Sequence, residues 1–541
     1  MASPHTLLDN RPFTPLLRRV GEVAEAVGIE AYAVGGLVRD LLLDRPTTDL
    51  DFVTVGTGSG LRLAEAVGEA MGGQTVHVYP RFGTAAVRVH DASGTPWVLE
   101  FVAARRESYR GHSRKPIVED GTLADDQQRR DFTVNAMALH MAPSRFGALI
   151  DPFDGQADLA ERRLRTPLDP EVTFRDDPLR MVRAARFATQ LDFRIVPEAF
   201  AAMQRTADRV KILSQERITD ELQKIIVADR PSTGFKILES TGLLRHVFPE
   251  LVALKGVEAI DGHRHKDNFF HTLQVVDNLA AATRDRPGEE TRWLRWAALL
   301  HDIAKPLTKR FTPETGWTFH GHEDRGGRMV PKLFKKLKLP TDERMRYVQK
   351  LVQLHHRPVA LVDADVTDSA VRRLLFDAGD EVEDLMTLVR ADITSKNPRR
   401  VARYLGAFDR VEARMAEVEE NDRLRQFQPP VDGHEIMEVL GVNAGLAVGI
   451  IKDTIREAIL EGDIPNEHEA AYALMMEIKD EAIRRGALFE EVMGRLQKHE
   501  RSAMGAIKEA LVTHAIPTAH AEAVRYLLHV KDATLASSTS R

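Results

Sequence analysis

The sequence predicts an α+β fold in which a short α/β region at the N-terminus precedes a long and almost entirely helical remainder. Between residues 20 and about 150, five apolar segments have strand character; they read AYAV, DLDFVTV, TVHVY, TAAVRVH and WVLEFVAA. Among them, LRLAEAVGEAMGG has helical periodicity and a glycine stop. After about Asp151 the strand pattern largely ends, and periodic segments such as PLRMVRAARFATQL and QERITDELQKIIVA predict helices.

A chain of 541 residues is too long for one hydrophobic core and is expected to form several domains. The expected organisation, in chain order, is an α/β head (1–150), a helical neck (151–255), a histidine-rich helical domain (256–400), a helical body (401–530) and a disordered tail (531–541).

Composition limits the classes of function. Hydrophobic residues make up 43% of the chain and charged residues 29%, as in soluble globular proteins. The absence of cysteine excludes disulfides, thiolate metal sites and cysteine nucleophiles. The N-terminus has no signal-peptide pattern and no apolar run approaches membrane-spanning length, so we expect a cytoplasmic protein without a membrane partner. With a net charge of −6, any nucleic-acid binding must come from local basic patches.

Two aspartates, Asp49 and Asp51, open the second predicted strand. Residues i and i+2 of a strand point to the same face, so we expect the two side chains to lie together. Neighbouring carboxylates repel each other unless a cation lies between them, and Mg²⁺ favours one or two carboxylates plus substrate phosphates. A turn at Gly35-Gly36 precedes a helix that carries Arg39, and N–H groups at a helix start favour anions. The pattern predicts a nucleoside triphosphate held on metal ions.

Two further segments carry groups suited to nucleotide binding. The first, RRDFTVNAMAL, contains Arg130, Asp131 and Asn135, and we predict that it runs from a strand into a helix. The second, RDDPLRMVRAARFA, contains Arg180 and Arg183 as i, i+3 neighbours. By itself such a run of arginines is typical of a solvated helix face.

In this order the segments resemble the class II tRNA nucleotidyltransferases, which are the CCA-adding enzymes, and their bacterial poly(A) polymerase relatives. The resemblance is strongest between Val20 and Gln223 and rests on VGGLVRD, the following DLD and RRDFTVNA. Later segments, including VDGHEIMEVLGV and VGIIKDTIREAILEGDIPN, resemble the C-terminal body of those enzymes. The resemblance implies a polymerase-β-like nucleotidyltransferase head, tRNA as the RNA partner, and ATP and CTP as nucleotide substrates.

The resemblance also implies roles for individual residues. Asp49 and Asp51 would be the catalytic residues and would hold Mg²⁺, while Glu216 and Arg217 would brace the neck. The chemistry would be in-line attack of an RNA 3′-hydroxyl on the α-phosphorus with release of pyrophosphate, a reaction that two metal ions can support without a protein nucleophile. The residues implied to bind the nucleotide are Gly35, Gly36, Arg39, Arg130, Asp131, Asn135, Asp177, Arg180 and Arg183.

Asp177 and Arg180 would form the base-reading pair, and this role has an independent chemical basis. Adenine and cytosine each present an amino donor beside an unprotonated ring nitrogen, which a carboxylate and a guanidinium can pair with. Guanine and uracil present the reverse pattern and would leave both side chains badly paired. One departure is visible, because the family usually has Glu-Asp before Pro-Leu-Arg and this chain has Asp176-Asp177.

A second series of histidines and aspartates follows on predicted helices. Side chains of this kind from separate helices of a bundle can hold one or two divalent metal ions. The series resembles the HD superfamily of metal-dependent phosphohydrolases, which implies Mg²⁺ or a divalent transition metal. Some HD domains joined to nucleotidyltransferases have lost activity, but the extra histidines favour hydrolysis of phosphomonoesters or cyclic phosphates. The implied core ligands are His271, His301, Asp302 and Asp392, and the implied further ligands are His322 and either His355 or His356.

The favoured function is template-independent addition or repair of the 3′-terminal CCA of tRNA. A poly(A) polymerase, or an enzyme that adds only A or only CC, would share all these motifs. A third alternative, an HD phosphohydrolase with a non-catalytic RNA-binding head, is disfavoured because a mere binding module has no need of Asp49 and Asp51.

No pattern assigns an oligomeric state. RNA contacts are expected from three basic groups: Arg105, Arg106, Arg110, Arg114 and Lys115; Lys332, Lys335, Lys336 and Lys338; and Arg399, Arg400 and Arg403.

Overall fold

The computed structural model divides into two compact units, residues 1–353 and 354–541. The first unit holds the predicted head and neck, and the division falls within the segment 256–400. The residues that the structure describes are 8–9, 11–47, 49–72, 74–79, 84–108, 117–260, 263–264, 266–362, 367–395, 397–422, 430–497 and 500–539.

A mixed seven-stranded sheet forms the centre of the head. Its strands are β1 (Ala31–Val34), β2 (Asp49–Thr54), β3 (Gln74–Tyr79), β4 (Thr84–His90), β5 (Pro96–Ala103), β8 (Ala138–His140) and β9 (Leu149–Ile150). They lie in the order β3-β4-β5-β2-β1-β8-β9. Strand β2 runs antiparallel to β1 and parallel to β5, and its Leu50, Phe52 and Val53 are buried. The five strands predicted from the sequence, β1 to β5, are confirmed, and a separate hairpin pairs β6 (Arg105–Ser108) with β7 (Ile117–Asp120).

Four helices accompany the sheet: α1 (Thr14–Ala26), α2 (Gly36–Leu42), α3 (Ser59–Met71) and α4 (Leu123–Gln128). The predicted helix α3 buries Leu63, Ala64 and Val67 and ends at Gly72, which has a left-handed conformation. Helix α4 begins at Thr122, whose side chain accepts a hydrogen bond from the Asp125 N–H in a capping box.

The segment RRDFTVNAMAL differs from its prediction. It does not run from a strand into a helix; it leaves α4, makes a short 3₁₀ turn at Thr133–Asn135 and enters β8. The apolar run around this turn is buried on both sides, so its sequence carries no period that separates a helix from a strand.

In its described residues the rest of the first unit is mainly helical, as predicted. Its helices are α5 (Gly155–Ala160), α6 (Pro170–Asp176), α7 (Leu179–Leu191), α8 (Pro197–Thr206), α9 (Gln215–Ile226), α10 (Ser232–Ser240), α11 (Leu244–Val247), α12 (Pro249–Val252), α13 (Asn268–Ala282), α14 (Arg292–Leu300), α15 (Lys305–Thr308), α16 (His322–Lys336) and α17 (Glu343–Leu354). The remaining strands are short pairs: β10 (Arg163–Leu164) with β11 (Arg194–Ile195), β12 (Ala259–Ile260) with β13 (His263–Arg264), and β14 (Arg310–Thr312) with β15 (Gly316–Thr318).

The described part of the second unit is wholly helical. Its helices are α18 (Arg357–Ala360), α19 (Asp368–Ala378), α20 (Val382–Ala391), α21 (Pro398–Asp422), α22 (Gly433–Leu440), α23 (Leu446–Glu461), α24 (His468–Arg495), α25 (Met504–Thr513) and α26 (His520–Thr539). Two buried apolar clusters each include residues of α23 and α24; one adds residues of α25 and α26, and the other adds a residue of α22. Among the described residues, no helix has both the length and the apolar character that crossing a bilayer requires.

The predicted disordered tail, 531–541, is wrong for most of its length, because α26 continues to Thr539. The polar composition of the segment indicates disorder, but its alanines and Leu535 have high helix propensity and extend a helix that is already anchored at Leu527. Lys531 also donates a hydrogen bond to Glu500 at 2.7 Å. Residues 540 and 541 lie outside the described part of the chain.

A buried ion pair joins the head to the first long neck helix. Asp131 lies just after α4 and is only 7% exposed; its Oδ2 accepts hydrogen bonds from Nε and Nη2 of Arg183 on α7, at 2.7 and 2.6 Å. Its Oδ1 accepts from the Phe132 N–H and from Nδ2 of Asn135. Burial alone would raise the pKa of Asp131, but the charge of Arg183 and the hydrogen bonds from Asn135 and Arg183 outweigh burial and lower the pKa to about 2.

We predict that Asp131→Asn destabilises the first unit by about 2 kcal/mol at pH 7, since a carboxyl pKa near 2 replaces one near 3.9 in the unfolded chain. This stabilisation is present above about pH 4 and is lost as the pH falls towards 2. The difference in free energy of unfolding between wild type and variant should therefore disappear over that interval. Calorimetric unfolding between pH 7 and pH 2 measures it. The control is Asp192→Asn, at an exposed ion pair with Arg162, which should behave as wild type. A gap that stays constant with pH would contradict the ion-pair account.

Candidate nucleotide cavity and metal centre

An open cavity of about 510 Å³ lies in the first unit between the head and helices α7 and α9. All nine residues predicted to bind the nucleotide line it, together with Asp51. Among the described residues, seven arginines and three aspartates contribute to the lining, which gives it a positive balance suited to a polyanion. The lining residues are Gly35, Gly36, Arg39, Asp51, Arg129, Arg130, Asp131, Asn135, Asp177, Leu179, Arg180, Arg183, Arg186, Phe187 and Arg217.

The glycine turn brings the backbone close to this lining. Gly35 has φ +73°, a left-handed conformation that L side chains rarely adopt. A Cβ atom at Gly35 would lie 3.1 Å from Nη1 of Arg130 and 3.8 Å from Oδ2 of Asp51. Glycine at this position therefore fits the turn and also leaves the space between the arginine and the carboxylate open.

A chain of hydrogen bonds holds Arg39 against the turn that follows α4. Its Nη1 donates to Oδ1 of Asn135 at 2.8 Å, and its Nε and Nη2 donate to the carboxylate of Asp40 at 2.9 and 2.8 Å. Asn135 in turn donates to Asp131, which is paired with Arg183. The positions implied by the family resemblance thus form one connected network from the glycine turn to α7.

Asp177 and Arg180 lie on the same wall, and each is held by its own partners. Oδ1 of Asp177 accepts from the Leu179 N–H at 3.1 Å, and its Oδ2 accepts from Nη2 of Arg217 at 3.3 Å. Arg180 donates to two backbone carbonyls, those of Thr173 at 3.2 Å and of Arg129 at 2.5 Å. These contacts fix the direction of both side chains before a nucleotide arrives. They also place Arg217, which the sequence suggested only as a brace, against the carboxylate that is predicted to read the base.

Phe187 is a lining residue that sequence reasoning missed. The guanidinium carbon of Arg186 lies 4.0 Å from the ring centre, and those of Arg39 and Arg183 each lie 5.2 Å from it. The negative face of an aromatic ring attracts cations, so this ring lowers the cost of gathering guanidinium groups. An apolar residue on a helix gives no such signal in a sequence, because Phe187 has the pattern of an ordinary core position.

A smaller cavity of about 280 Å³ also has Asp51 in its lining. Arg129 and Arg130 line both cavities, and Glu100 on β5 lines the smaller one. Glu100 is paired with Asp51 in the parallel register of β5 and β2, so the two carboxylates lie side by side. Glu100 was also missed; the one available signal was an acidic residue within an apolar strand.

The donor set at this edge suits Mg²⁺, because Asp51 and Glu100 present carboxylate oxygens beside arginines that can hold phosphates. Asp49 lies on β2 opposite Val98, two residues before Asp51. Its side chain falls outside the described part of the structure, so its predicted role in holding metal stays a prediction.

Within the first unit, three predicted histidine ligands surround Asp302. The Nε2 atoms of His301 and His271 lie 3.3 and 3.6 Å from its Oδ2, and Nε2 of His322 lies 3.4 Å from its Oδ1. Lys305 lies on the same side, with Nζ 2.7 Å from Oδ2. His301 and Asp302 are almost completely buried.

Backbone carbonyls hold two of these histidines in an orientation that suits metal binding. Nδ1 of His301 lies 2.7 Å from the Ala298 oxygen, and Nδ1 of His322 lies 2.9 Å from the Phe319 oxygen. When Nδ1 carries the proton for that bond, the lone pair of Nε2 points towards Asp302. Burial lowers the pKa of His322, which favours the neutral ring that a metal requires. Burial would raise the pKa of Asp302, but His301 and Lys305 hold it well below its usual value.

The other predicted HD ligands belong to the second unit. His355 is buried and His356 is exposed, so of the two alternatives His355 is the internal residue. Asp392 follows α20, and its N–H donates to the Leu388 oxygen at 3.0 Å.

In the predicted RNA-contact groups, Arg110, Arg114 and Lys115 lie outside the described residues. Lys336 is paired with Glu250.

Three family models match the chain. Residues 31–165 match the poly A polymerase head domain, residues 192–254 match the probable RNA and SrmB-binding site of polymerase A, and residues 268–412 match the HD domain. The last match spans the division between the two units. These matches confirm the fold class predicted from the sequence.

Named relatives and a solved structure agree with these matches. A multifunctional CCA protein of Ralstonia nicotianae is 38% identical over 324 residues, which are 58% of this chain and 70% of the relative. An A-adding tRNA nucleotidyltransferase of Deinococcus radiodurans is 32% identical over 454 residues, 81% of this chain and 94% of the relative. The crystal structure of the Bacillus stearothermophilus CCA-adding enzyme in complex with CTP is 26% identical, has a TM-score of 0.58, and covers 87% of this chain and 98% of its own.

Both relatives are more than 30% identical to this chain over more than two thirds of their own length. The cavity is also lined by every residue predicted to bind the nucleotide. The chain belongs to the family of tRNA nucleotidyltransferases and bacterial poly(A) polymerases, and it carries an HD domain.

Proposed function

We propose that this protein adds or repairs the 3′-terminal CCA of tRNA with CTP and ATP, without a nucleic-acid template. The observation that carries the proposal is the single cavity that places Asp177 and Arg180, which suit the bases of A and C, on one wall with Asp51 and a cluster of arginines. The triphosphate would contact Arg39 and Arg130, and its base would pair with Asp177 and Arg180. The RNA 3′-end would enter the smaller cavity, which also has Asp51 in its lining.

Asp49 and Asp51, assisted by Glu100, would hold Mg²⁺ at the boundary between the two cavities. When bound, Mg²⁺ would activate the 3′-hydroxyl and stabilise the pyrophosphate that leaves. The residues of the chain supply the rest of the catalytic effect by positioning. The glycine turn keeps the space beside Asp51 open, and the network from Arg39 to Arg183 fixes the cationic wall against which the phosphates are aligned.

The HD domain is proposed to be a second, metal-dependent active site that hydrolyses phosphomonoesters or cyclic phosphates at RNA ends. The support is the convergence of His271, His301 and His322 on Asp302, with Lys305 beside it. The family resemblance assigns Asp392 and either His355 or His356 to the remaining ligand positions. Imidazole and carboxylate ligands suit a divalent transition metal, and Mg²⁺ is the alternative.

A second candidate is an enzyme that adds only A. It is favoured by one observation, that the A-adding relative of Deinococcus radiodurans aligns over 81% of this chain. Both functions require the same cavity, so they are distinguished by which tRNA ends and which nucleotides the protein uses.

The deciding experiment offers the purified protein three tRNA transcripts that end before CCA, after the first C and after CC. Each is incubated with CTP, with ATP and with both. We expect CC to be added with CTP alone and the complete CCA with both nucleotides. Addition of A only to the transcript that ends in CC would identify an A-adding enzyme. Long A tails without use of CTP would identify a poly(A) polymerase.

We predict that Asp51→Ala lowers the rate of nucleotide addition by about a thousandfold, because it removes a carboxylate worth several kcal/mol to the metal site. Phosphohydrolase activity should remain, since the HD site uses other residues. His301→Ala is the reciprocal control and should abolish hydrolysis while nucleotide addition continues. Loss of both activities in either variant would indicate unfolding, which circular dichroism detects.

We predict that Arg180→Lys lowers kcat/KM for CTP and ATP by about a hundredfold, because a lysine cannot reproduce the forked donor held by the carbonyls of Thr173 and Arg129. The relative use of UTP should rise, since discrimination depends on that donor. Arg175→Lys is the matched control; Arg175 is an exposed partner of Glu171 outside the cavity lining. An equal decrease in kcat/KM for CTP, ATP and UTP would contradict a base-reading role.

A further inference from the structure

Helix α16 carries an excess of positive charge. Between Asp324 and Asp342 the chain has two arginines, four lysines and no carboxylate, although the net charge of the whole chain is −6. The sequence predicted RNA contacts for the four lysines, and the two arginines, Arg325 and Arg328, extend the same run towards the start of the helix. Such a run has an electrostatic cost, because neighbouring like charges on a helix repel each other.

Four of these six cations lie on one face of the helix. At about 3.6 residues per turn, positions 325, 328, 332 and 335 fall within an arc of about 80° and extend over about 15 Å. All four side chains are exposed, whereas Val330 and Phe334, on the other side of the helix, are buried. The basic face, as it is called here, consists of Arg325, Arg328, Lys332 and Lys335.

The basic face is not neutralised by the protein. Within the described part of the chain, Arg328, Lys332 and Lys335 form no ion pair with a carboxylate. Nη1 of Arg325 donates to a neutral acceptor, the Leu307 oxygen, at 3.0 Å. The positive charge of the face is therefore available to a partner.

The two lysines outside the basic face fix the end of the helix to the neck. Nζ of Lys336 lies 2.7 Å from Oε1 of Glu250 on α12. Nζ of Lys338 lies 3.8 Å from Oε1 of Glu216 at the start of α9. Glu216 directly precedes Arg217, which lines the nucleotide cavity.

The other end of the helix lies at the histidine cluster. The first residue of α16 is His322, whose Nε2 lies 3.4 Å from Oδ1 of Asp302. The basic face thus lies along a helix that leads from the Asp302 centre to the neck helix beside the nucleotide cavity.

A helix face that meets only solvent usually carries both signs of charge in neighbouring pairs. Helix α24 follows that rule, since Glu481 pairs with both Arg484 and Arg485. The basic face breaks it, and its regular spacing of exposed cations suits a partner with regularly spaced negative charge. The backbone of an RNA stem is such a partner, because RNA helices are recognised mainly through their shape and through their phosphates and 2′-hydroxyls.

We infer that the basic face binds the phosphate backbone of a stem of the RNA substrate, without reading its sequence. The docked stem lies on the one helix that joins the Asp302 centre to the neck, so a single surface holds the RNA for both sites. The inference rests on the proposed function only for the identity of the RNA as tRNA.

The test measures binding of a fluorescently labelled tRNA transcript that ends before CCA to the full-length protein, by anisotropy. A neutral variant combines Arg328→Gln, Lys332→Gln and Lys335→Gln. A charge-conserving variant combines Arg328→Lys, Lys332→Arg and Lys335→Arg. The matched control removes the same number of exposed charges from three other segments of the first unit and combines Arg62→Gln, Arg194→Gln and Arg284→Gln.

We expect the neutral variant to bind the transcript about ten- to a hundredfold more weakly than the wild type at about 100 mM salt. The slope of log affinity against log salt concentration should become shallower by about two to three, which is near one per lost phosphate contact. The KM for tRNA should rise while kcat and the KM for CTP stay the same, because the nucleotide cavity is unaltered. The charge-conserving variant and the matched control should bind as the wild type does.

A short single-stranded RNA with the same 3′-end has no stem and should bind equally to all these proteins. Circular dichroism compares their thermal unfolding. If the neutral variant is unstable, Lys332→Gln alone should still reduce the salt slope by about one.

Unchanged affinity and salt dependence in the neutral variant would overturn the inference and would leave the basic face to solvent or to an acidic protein. Equal weakening in the matched control would also overturn it, since binding would then follow net charge alone. Binding of the transcript through the basic face by a wild-type protein that extends no tRNA end would support the inference and count against the proposed function.

Discussion

The crowding of seven guanidinium groups around one cavity is the constraint on which the rest of the first unit depends. Like charges at this spacing repel each other, and the repulsion is strong where water is partly excluded. The buried carboxylate of Asp131 offsets part of it by holding Arg183, and the network continues through Asn135 to Arg39 and Asp40. Phe187 adds a neutral surface between three of the cations. These contacts offset part of the repulsion while the cavity keeps its positive balance.

This arrangement explains why the head and neck lie in one compact unit. Asp131 and Arg39 belong to the head, whereas Arg183 and Asp177 belong to the neck. Under the proposed function, Arg39 would contact the phosphates and Asp177 would read the base. Separating Arg183 from the buried carboxylate of Asp131, which is only 7% exposed, would leave a buried charge without its partner, so the ion pair holds the two sets at a fixed spacing.

Much of this could be predicted from the sequence, because the relevant signals are local. Alternating apolar residues gave β1 to β5, and glycine stops and helical periodicity gave α3, α7 and α9. The turn at Thr133–Asn135 could not be predicted, since an apolar run buried on both sides has no distinguishing period. Glu100 and Phe187 were missed because their roles arise from pairing across strands and from packing between distant segments. The helical tail was missed because composition alone does not show that α26 is already anchored.

Asp51 forms part of the wall of both cavities, and this shared wall has a consequence for repeated reaction cycles. A newly joined nucleotide lies in the cavity that the next triphosphate must occupy. Under the proposed function, the growing RNA would therefore have to move by one residue towards the smaller cavity before the following cycle. Under the proposed function, the number of additions would then be limited by how far the RNA 3′-end can move while the rest of the RNA stays bound, without a template.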